Sequence, residues 1–170
     1  MTEPRHRIEH AIDEQPGVHF NELVRSLPFA AGHVQYHVRD LVADESVVRD
    51  ELFGRTHYFP PGYDEFERSA IALVRRETSR DVLATLIEEE EARPGELADA
   101  VGVARSTLEH HVDNLRAAGL VEKERDARNR VTLVLADPNR TADLLADVTP
   151  TLPDRLVDRF TRLVDDLLAQ

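Results

Sequence analysis

Residues Arg105–Val134 read "RSTLEHHVDNLRAAGLVEKERDARNRVTLV". Leu108, Val112 and Leu115 stand at i, i+4 and i+7, which is one apolar stripe of a helix. Gly119 breaks the pattern. The stretch "LVEKERDARNRVTLVL" that follows predicts a β-hairpin turning around Ala127–Asn129. The paired histidines, His110 and His111, and the arginines behind them pose one question. They make either a metal or catalytic site, or a surface that reads nucleic acid.

The answer begins with a repeat. Shifted by 74 positions, the apolar pattern of the chain returns without a gap. Ile8 and Ile12 fall on Val82 and Leu86, and Leu23 and Leu27 on Leu97 and Val101. Val34, His37, Val38 and Leu41 fall on Leu108, His111, Val112 and Leu115. Val47 falls on Val121, and Phe59 on Leu133. Two copies of one unit are expected, near 1–62 and 76–137. Each runs through an amphipathic helix, a Pro/Gly interruption, a short helix, a tight turn, a longer helix and a hairpin; the first hairpin turns at Gly54.

Three helices followed by a hairpin is the winged helix-turn-helix plan. "GELADAVGVARSTLEHHVDNLRAAGLVEKE", Gly95–Glu124, resembles the core of ArsR/MarR-type winged-helix transcription regulators. Ser106, Thr107, Leu108, His111, Val112, Leu115, Gly119, Leu120 and Val121 carry the resemblance. It implies that "STLEHHVDNLRAAG", Ser106–Gly119, holds the recognition helix and that the hairpin is a wing. The first copy departs from the pattern: Gly32-His33 replaces Ser-Thr, and Glu45-Ser46 stands at the helix end.

The expected fold is therefore mainly α with small β-hairpin wings (α+β): two winged helix-turn-helix domains and a C-terminal helical tail. The divisions are 1–62, then 63–137 with a linker helix from Asp64 to Arg76 leading it, then the tail 138–170. Pro150 and Pro153 split the tail into two helices. In the last, Leu156, Phe160, Leu163, Val164 and Leu167 form an apolar stripe that suits a homodimer seam.

Composition narrows the classes. The 170 residues contain no cysteine, which excludes disulfides and thiolate metal sites. The N-terminus is polar, and no apolar run reaches the length of a membrane span, so a soluble, cytoplasmic protein is expected. The net charge of −12 argues against a nucleic-acid partner at first sight. Lys123 is the only lysine, however, and such an acidic, lysine-poor chain resembles the proteins of salt-loving microbes, in an archaeal style. There an acidic surface keeps proteins hydrated while salt screens its self-repulsion. Local charge is the better guide. Residues 103–130 carry +1, residues 30–60 carry −2, and residues 62–100 carry −6.

On the second recognition helix the outward positions are Arg105, Ser106, Thr107, Glu109 and His110, with Asn114 further along. Arginine pairs bidentately with guanine, and hydroxyls meet phosphate or base. Backbone N–H groups at the helix start favour phosphate. The wing adds Lys123, Arg125, Arg128, Asn129 and Arg130, suited to the backbone or the minor groove. The first copy offers His33, Gln35, Tyr36 and Arg39 on its helix, and Arg49, Arg55 and His57 in its wing. His37 and His111, sharing a repeat position, are expected as partly buried, hydrogen-bonded core histidines.

The partner expected is double-stranded DNA, bound sequence-specifically by a transcription regulator. One rival is a protein-interaction scaffold, as tandem winged helices serve in chromosome segregation and transcription initiation, with the N-terminal domain meeting a protein partner. The other is an ArsR-like metal sensor, since His33/His37 and His6/His10 have i, i+4 spacing. No further ligands converge with them in the sequence, so no metal and no cofactor is assigned. No catalytic constellation is present, and an enzyme is not expected.

Overall fold

The computed structural model describes residues 3–148 and 169. The stripe Leu156, Phe160, Leu163, Val164 and Leu167 lies outside the described residues. The chain divides into two compact units, Met1–Ala72 and Leu73–Gln170. The division falls inside the linker helix.

In the first unit α1 (Glu3–Glu14) leads to β1 (Val18–His19), α2 (Phe20–Ser26), α3 (Ala31–Ala43), β2 (Val48–Leu52) and β3 (Arg55–Phe59). Helix α4 (Glu65–Val74) follows. The second unit repeats the order with α5 (Glu77–Glu89), β4 (Glu91–Ala92), α6 (Pro94–Val101), α7 (Arg105–Ala117), β5 (Val121–Arg125) and β6 (Val131–Leu135), then adds α8 (Pro138–Val148). Each unit has one antiparallel three-stranded sheet, in the order β1-β3-β2 and β4-β6-β5. The fold is mainly helical with small antiparallel hairpins: two tandem winged helix-turn-helix domains.

The periodicity that defined the repeat is the core. Ile8, Ile12, Leu23, Val34, Val38, Leu41, Val47 and Phe59 are buried, and so are their counterparts Val82, Leu86, Leu97, Leu108, Val112, Leu115, Val121 and Leu133. A fully buried leucine of this kind contributes roughly 1.5–3 kcal/mol through apolar burial. In each unit the first helix packs on the recognition helix, α1 on α3 and α5 on α7. Helix α8 packs on α5.

Three features differ from the sequence reading. The Pro/Gly interruptions hold β1 and β4, two residues each, which pair with β3 and β6 and close the sheets. Strands this short leave no period to read. The linker helix stops at Val74, and α5 starts afresh at Glu77. The hairpins also differ: Phe53-Gly54 turns the first, with φ 51° and 79°, whereas residues 126–130 form a longer loop in the second. The gapless alignment therefore slips by one residue in the last strand, where Val48 pairs with Phe59 but its repeat partner Glu122 pairs with Val134 rather than Leu133.

The two recognition helices end alike. Glu45 and Gly119 are repeat partners, and both are left-handed, with φ 65° and 78°. The turn feeds each chain back into its sheet, through Val47 N–H to the Leu41 carbonyl at 3.2 Å and Leu120 N–H to the Leu115 carbonyl at 2.9 Å.

Candidate nucleic-acid interface

Helix α7 starts at Arg105 after Ala104, and α3 starts at Ala31 after Ala30. Neither alanine offers a side-chain oxygen to the first-turn N–H groups. Ser or Asp in that position stabilises a helix by about 1 kcal/mol more. Both recognition helices thus present their first turn without a side-chain cap.

Arg105, Ser106, Thr107 and His110 are exposed on α7, as the helical phase predicts, while Glu109 and Asn114 are half-buried. Glu109 joins two elements: its Oε1 is 3.5 Å from Arg105 Nε, and its Oε2 is 3.8 Å from Lys123 Nζ in β5. It acts as an internal counter-ion between recognition helix and wing.

The wing is organised by Asp126. Its Oδ1 accepts the backbone N–H groups of Arg128 and Arg130, each at 2.9 Å, and its Oδ2 accepts Arg130 Nε at 2.8 Å. Those bonds, the Arg130 backbone N–H foremost, hold the carboxyl below the usual aspartate range. Arg125 donates from Nη1 to the Asn129 carbonyl at 3.0 Å, and Asn129 takes the left-handed conformation at φ 61°. Among the wing cations Arg128 is exposed, and its side chain makes no ion pair among the described residues. Arg125 and Arg130 thus shape the loop as well as charge it.

On the first domain His33, Gln35, Tyr36, Arg39 and Arg55 are all exposed, and Tyr36 keeps 68% of its surface. Arg49 pairs with Glu51 at 3.0 Å. His57 is not on the wing surface. It is 2% exposed, and its Nδ1–H donates to the Gly17 carbonyl at 2.6 Å, fastening β1 to β3. Burial rises along β3 from exposed Arg55 to buried His57, Tyr58 and Phe59, and at His57 the strand is flanked on both sides, by His19 of β1 and Asp50 of β2.

The acids that made this segment negative are partly answered from outside it. Arg5 in α1 pairs with both Asp40 and Asp44 on α3, and Arg68 in α4 pairs with Asp50 at 2.8 Å. Hydrogen bonds from Ser46, then Arg5, hold the Asp44 carboxyl below its usual range. Arg5 lies 35 residues from Asp40, so no local pattern announces the pair.

The histidines take the roles their repeat position suggests. His37 is 8% exposed, and its Nε2 shares a hydrogen bond with His33 Nε2 at 3.1 Å. His111 is half-buried, and its Nδ1 shares one with Ser79 Oγ at 3.2 Å, linking α7 to the buried Ser79 of α5. Burial, then His110 and Arg76, pushes His111 below the usual histidine range. Among the described residues, no three His, Asp or Glu side chains converge on a point where a metal could sit. No described helix is long and apolar enough to cross a membrane.

Comparison with known families agrees with this geometry. Residues 2–71 match a family described as an N-terminal HTH domain, and residues 76–124 match one described as a helix-turn-helix domain. No curated protein matches the chain. The chain carries two helix-turn-helix domains in tandem, which makes it a DNA-binding regulator in the general sense.

Proposed function

We propose that the protein is a sequence-specific transcription regulator of ArsR/MarR type that reads duplex DNA through α3, α7 and their wings. The observation that carries this reading is the surface of the second domain. Arg105, Ser106, Thr107 and His110 stand exposed on the first turns of α7, Lys123 of the wing reaches Glu109 on that helix, and Arg128 is exposed in the wing loop. Hydroxyl, imidazole and guanidinium groups at a recognition-helix start are the chemistry that reads major-groove edges, and exposed wing cations suit the backbone. The layout is a winged domain over 1–62, a linker helix and second winged domain over 63–137, and a tail from 138. The tail stripe from Leu156 to Leu167 serves as a homodimer seam. The acidic, lysine-poor composition fits a haloarchaeal cytoplasm, and the role is binding rather than catalysis.

Substituting Arg105→Ala and Arg128→Ala tests the reading. Loss of Arg105 weakens binding to the preferred duplex by about 1–3 kcal/mol and relaxes base preference. Loss of Arg128 weakens binding to all duplexes alike. Full binding by the doubly substituted protein would falsify the reading. One observation favours a second role for the first domain: the largely exposed Tyr36 lines a shallow groove with Gly32, Gln35 and Arg39, a face that also suits a protein partner.

A further inference from the structure

Each domain carries a cavity at the same place in its fold. In the second it is an open depression of about 500 Å³, lined by Arg93, Pro94, Gly95, Arg105, Arg130 and Val131 and by one carboxylate, Glu96, which is turned to the Arg93 backbone N–H at 3.4 Å. In the first it holds about 480 Å³ and is lined by His19, Phe20, Asn21, Arg25 and Arg55. His19, Phe20 and Asn21 are the repeat partners of Arg93, Pro94 and Gly95, at the offset of 74. Arg55 opens β3, and Arg130 directly precedes β6, so both cavities are walled by the strand that follows the wing turn. The side chains have changed between the copies, but three basic groups remain in each.

We infer that these cavities are equivalent seats for a backbone phosphate of duplex DNA, one per domain. The inference rests on the DNA reading above and adds Arg93 and Arg25, which the sequence pattern did not single out. In the second seat the guanidiniums arrive from three places: Arg93 ahead of α6, Arg105 at the head of α7 and Arg130 at the wing. A Cβ at Gly95 would stand 3.7 Å from Arg105 Nη1, so the arginine lies over the glycine. Planar guanidinium groups suit tetrahedral phosphate oxygens bidentately. The carboxylates that meet these groups do so in open pairs. Arg105 is 3.5 Å from Glu109, Arg130 is 2.8 Å from Asp126, and His19 is 2.8 Å from Glu22. Pairs at this degree of exposure contribute little, so they oppose a phosphate only modestly. Arg25 and Arg55 make no ion pair among the described residues. Both seats adjoin the recognition unit and the wing, where a phosphate fixes register without reading sequence.

The test is the salt dependence of duplex binding by the full chain and its Arg55→Ala, Arg93→Ala and doubly substituted forms. Each seat removed lowers the slope of log affinity against log salt by about 0.9, and both together lower it by about 1.8. The preference for a cognate over a scrambled duplex stays unchanged. Both arginines are exposed, so thermal melts report intact folding. An unchanged slope on losing Arg93 overturns the seat. An effect of Arg93 without one of Arg55 overturns the equivalence. Inorganic phosphate that shifts the arginine Nε resonances, with DNA slopes unaltered, assigns the cavities to a free anion and overturns the inference. If the unaltered protein binds no duplex even at low salt, the DNA reading itself falls and the seats with it.

Discussion

Glu109 sits between two cations of different elements, Arg105 on α7 and Lys123 on β5. A carboxylate there restrains both from meeting phosphate and repels the backbone itself. Glu109→Gln is therefore expected to tighten binding to all duplexes and to steepen the salt dependence by about 0.9 for each cation released. Filter binding over a salt series reads this, and weaker binding would show that Glu109 contacts a base directly. Glu45 is a second residue whose environment has a measurable consequence. It holds the left-handed turn at φ 65° that Gly119 holds in the other domain. A side chain is disfavoured there, and glycine is not, so Glu45→Gly should stabilise the first domain by roughly 0.5–1 kcal/mol in denaturant titration. A loss of stability would mean that the Glu45 side chain supports the turn in some other way.

At the scale of elements, the recognition helices were the most legible parts of the sequence. Stripes from Val34 to Leu41 and from Leu108 to Leu115 predicted two long helices, and α3 and α7 each run for 13 residues along them. Period and burial agree there because one helical face does all the packing. β1 and β4 were not legible, being two residues long and specified by pairing with β3 and β6 rather than by pattern. His57 was misplaced for a related reason: it is covered where β1 pairs with β3, and that strand was not legible. The link between α5 and α7 yields a pH prediction. His111 is depressed in the folded state, so the unfolded chain binds its proton first as pH falls. The stability this residue contributes is complete above the unfolded value of about 6.5 and is lost as pH falls through the lower folded value. Stability measured from pH 7.5 to 4.5 should fall over that window, and His111→Leu should flatten the fall. An equal pH dependence in both proteins would place the effect elsewhere.

For the whole molecule, the repeat did most of the work. It fixed two domains, eight pairs of buried positions and the core role of the shared histidine, all from spacing. Net charge misled, because it averages a surface whose acids are answered by partners far away in sequence, as Arg5 answers Asp40 and Asp44. The exposure of the candidate residues was legible and their network was not: Arg105, Ser106, Thr107 and His110 are exposed on α7 as the helical phase predicts, whereas the bridging by Glu109 and the tie of Asp126 to the wing required the folded backbone. The proposed arrangement, two recognition helices per chain doubled by a tail-mediated dimer, would tolerate concentrated salt, where phosphate contacts lose most of their value. Base contacts must then supply discrimination. The most direct test of that claim is genome-wide mapping of DNA bound to the tagged protein in its own cells. Discrete peaks sharing one sequence motif, and lost on Arg105→Ala, are the result predicted. Diffuse occupancy without a motif would contradict sequence-specific regulation.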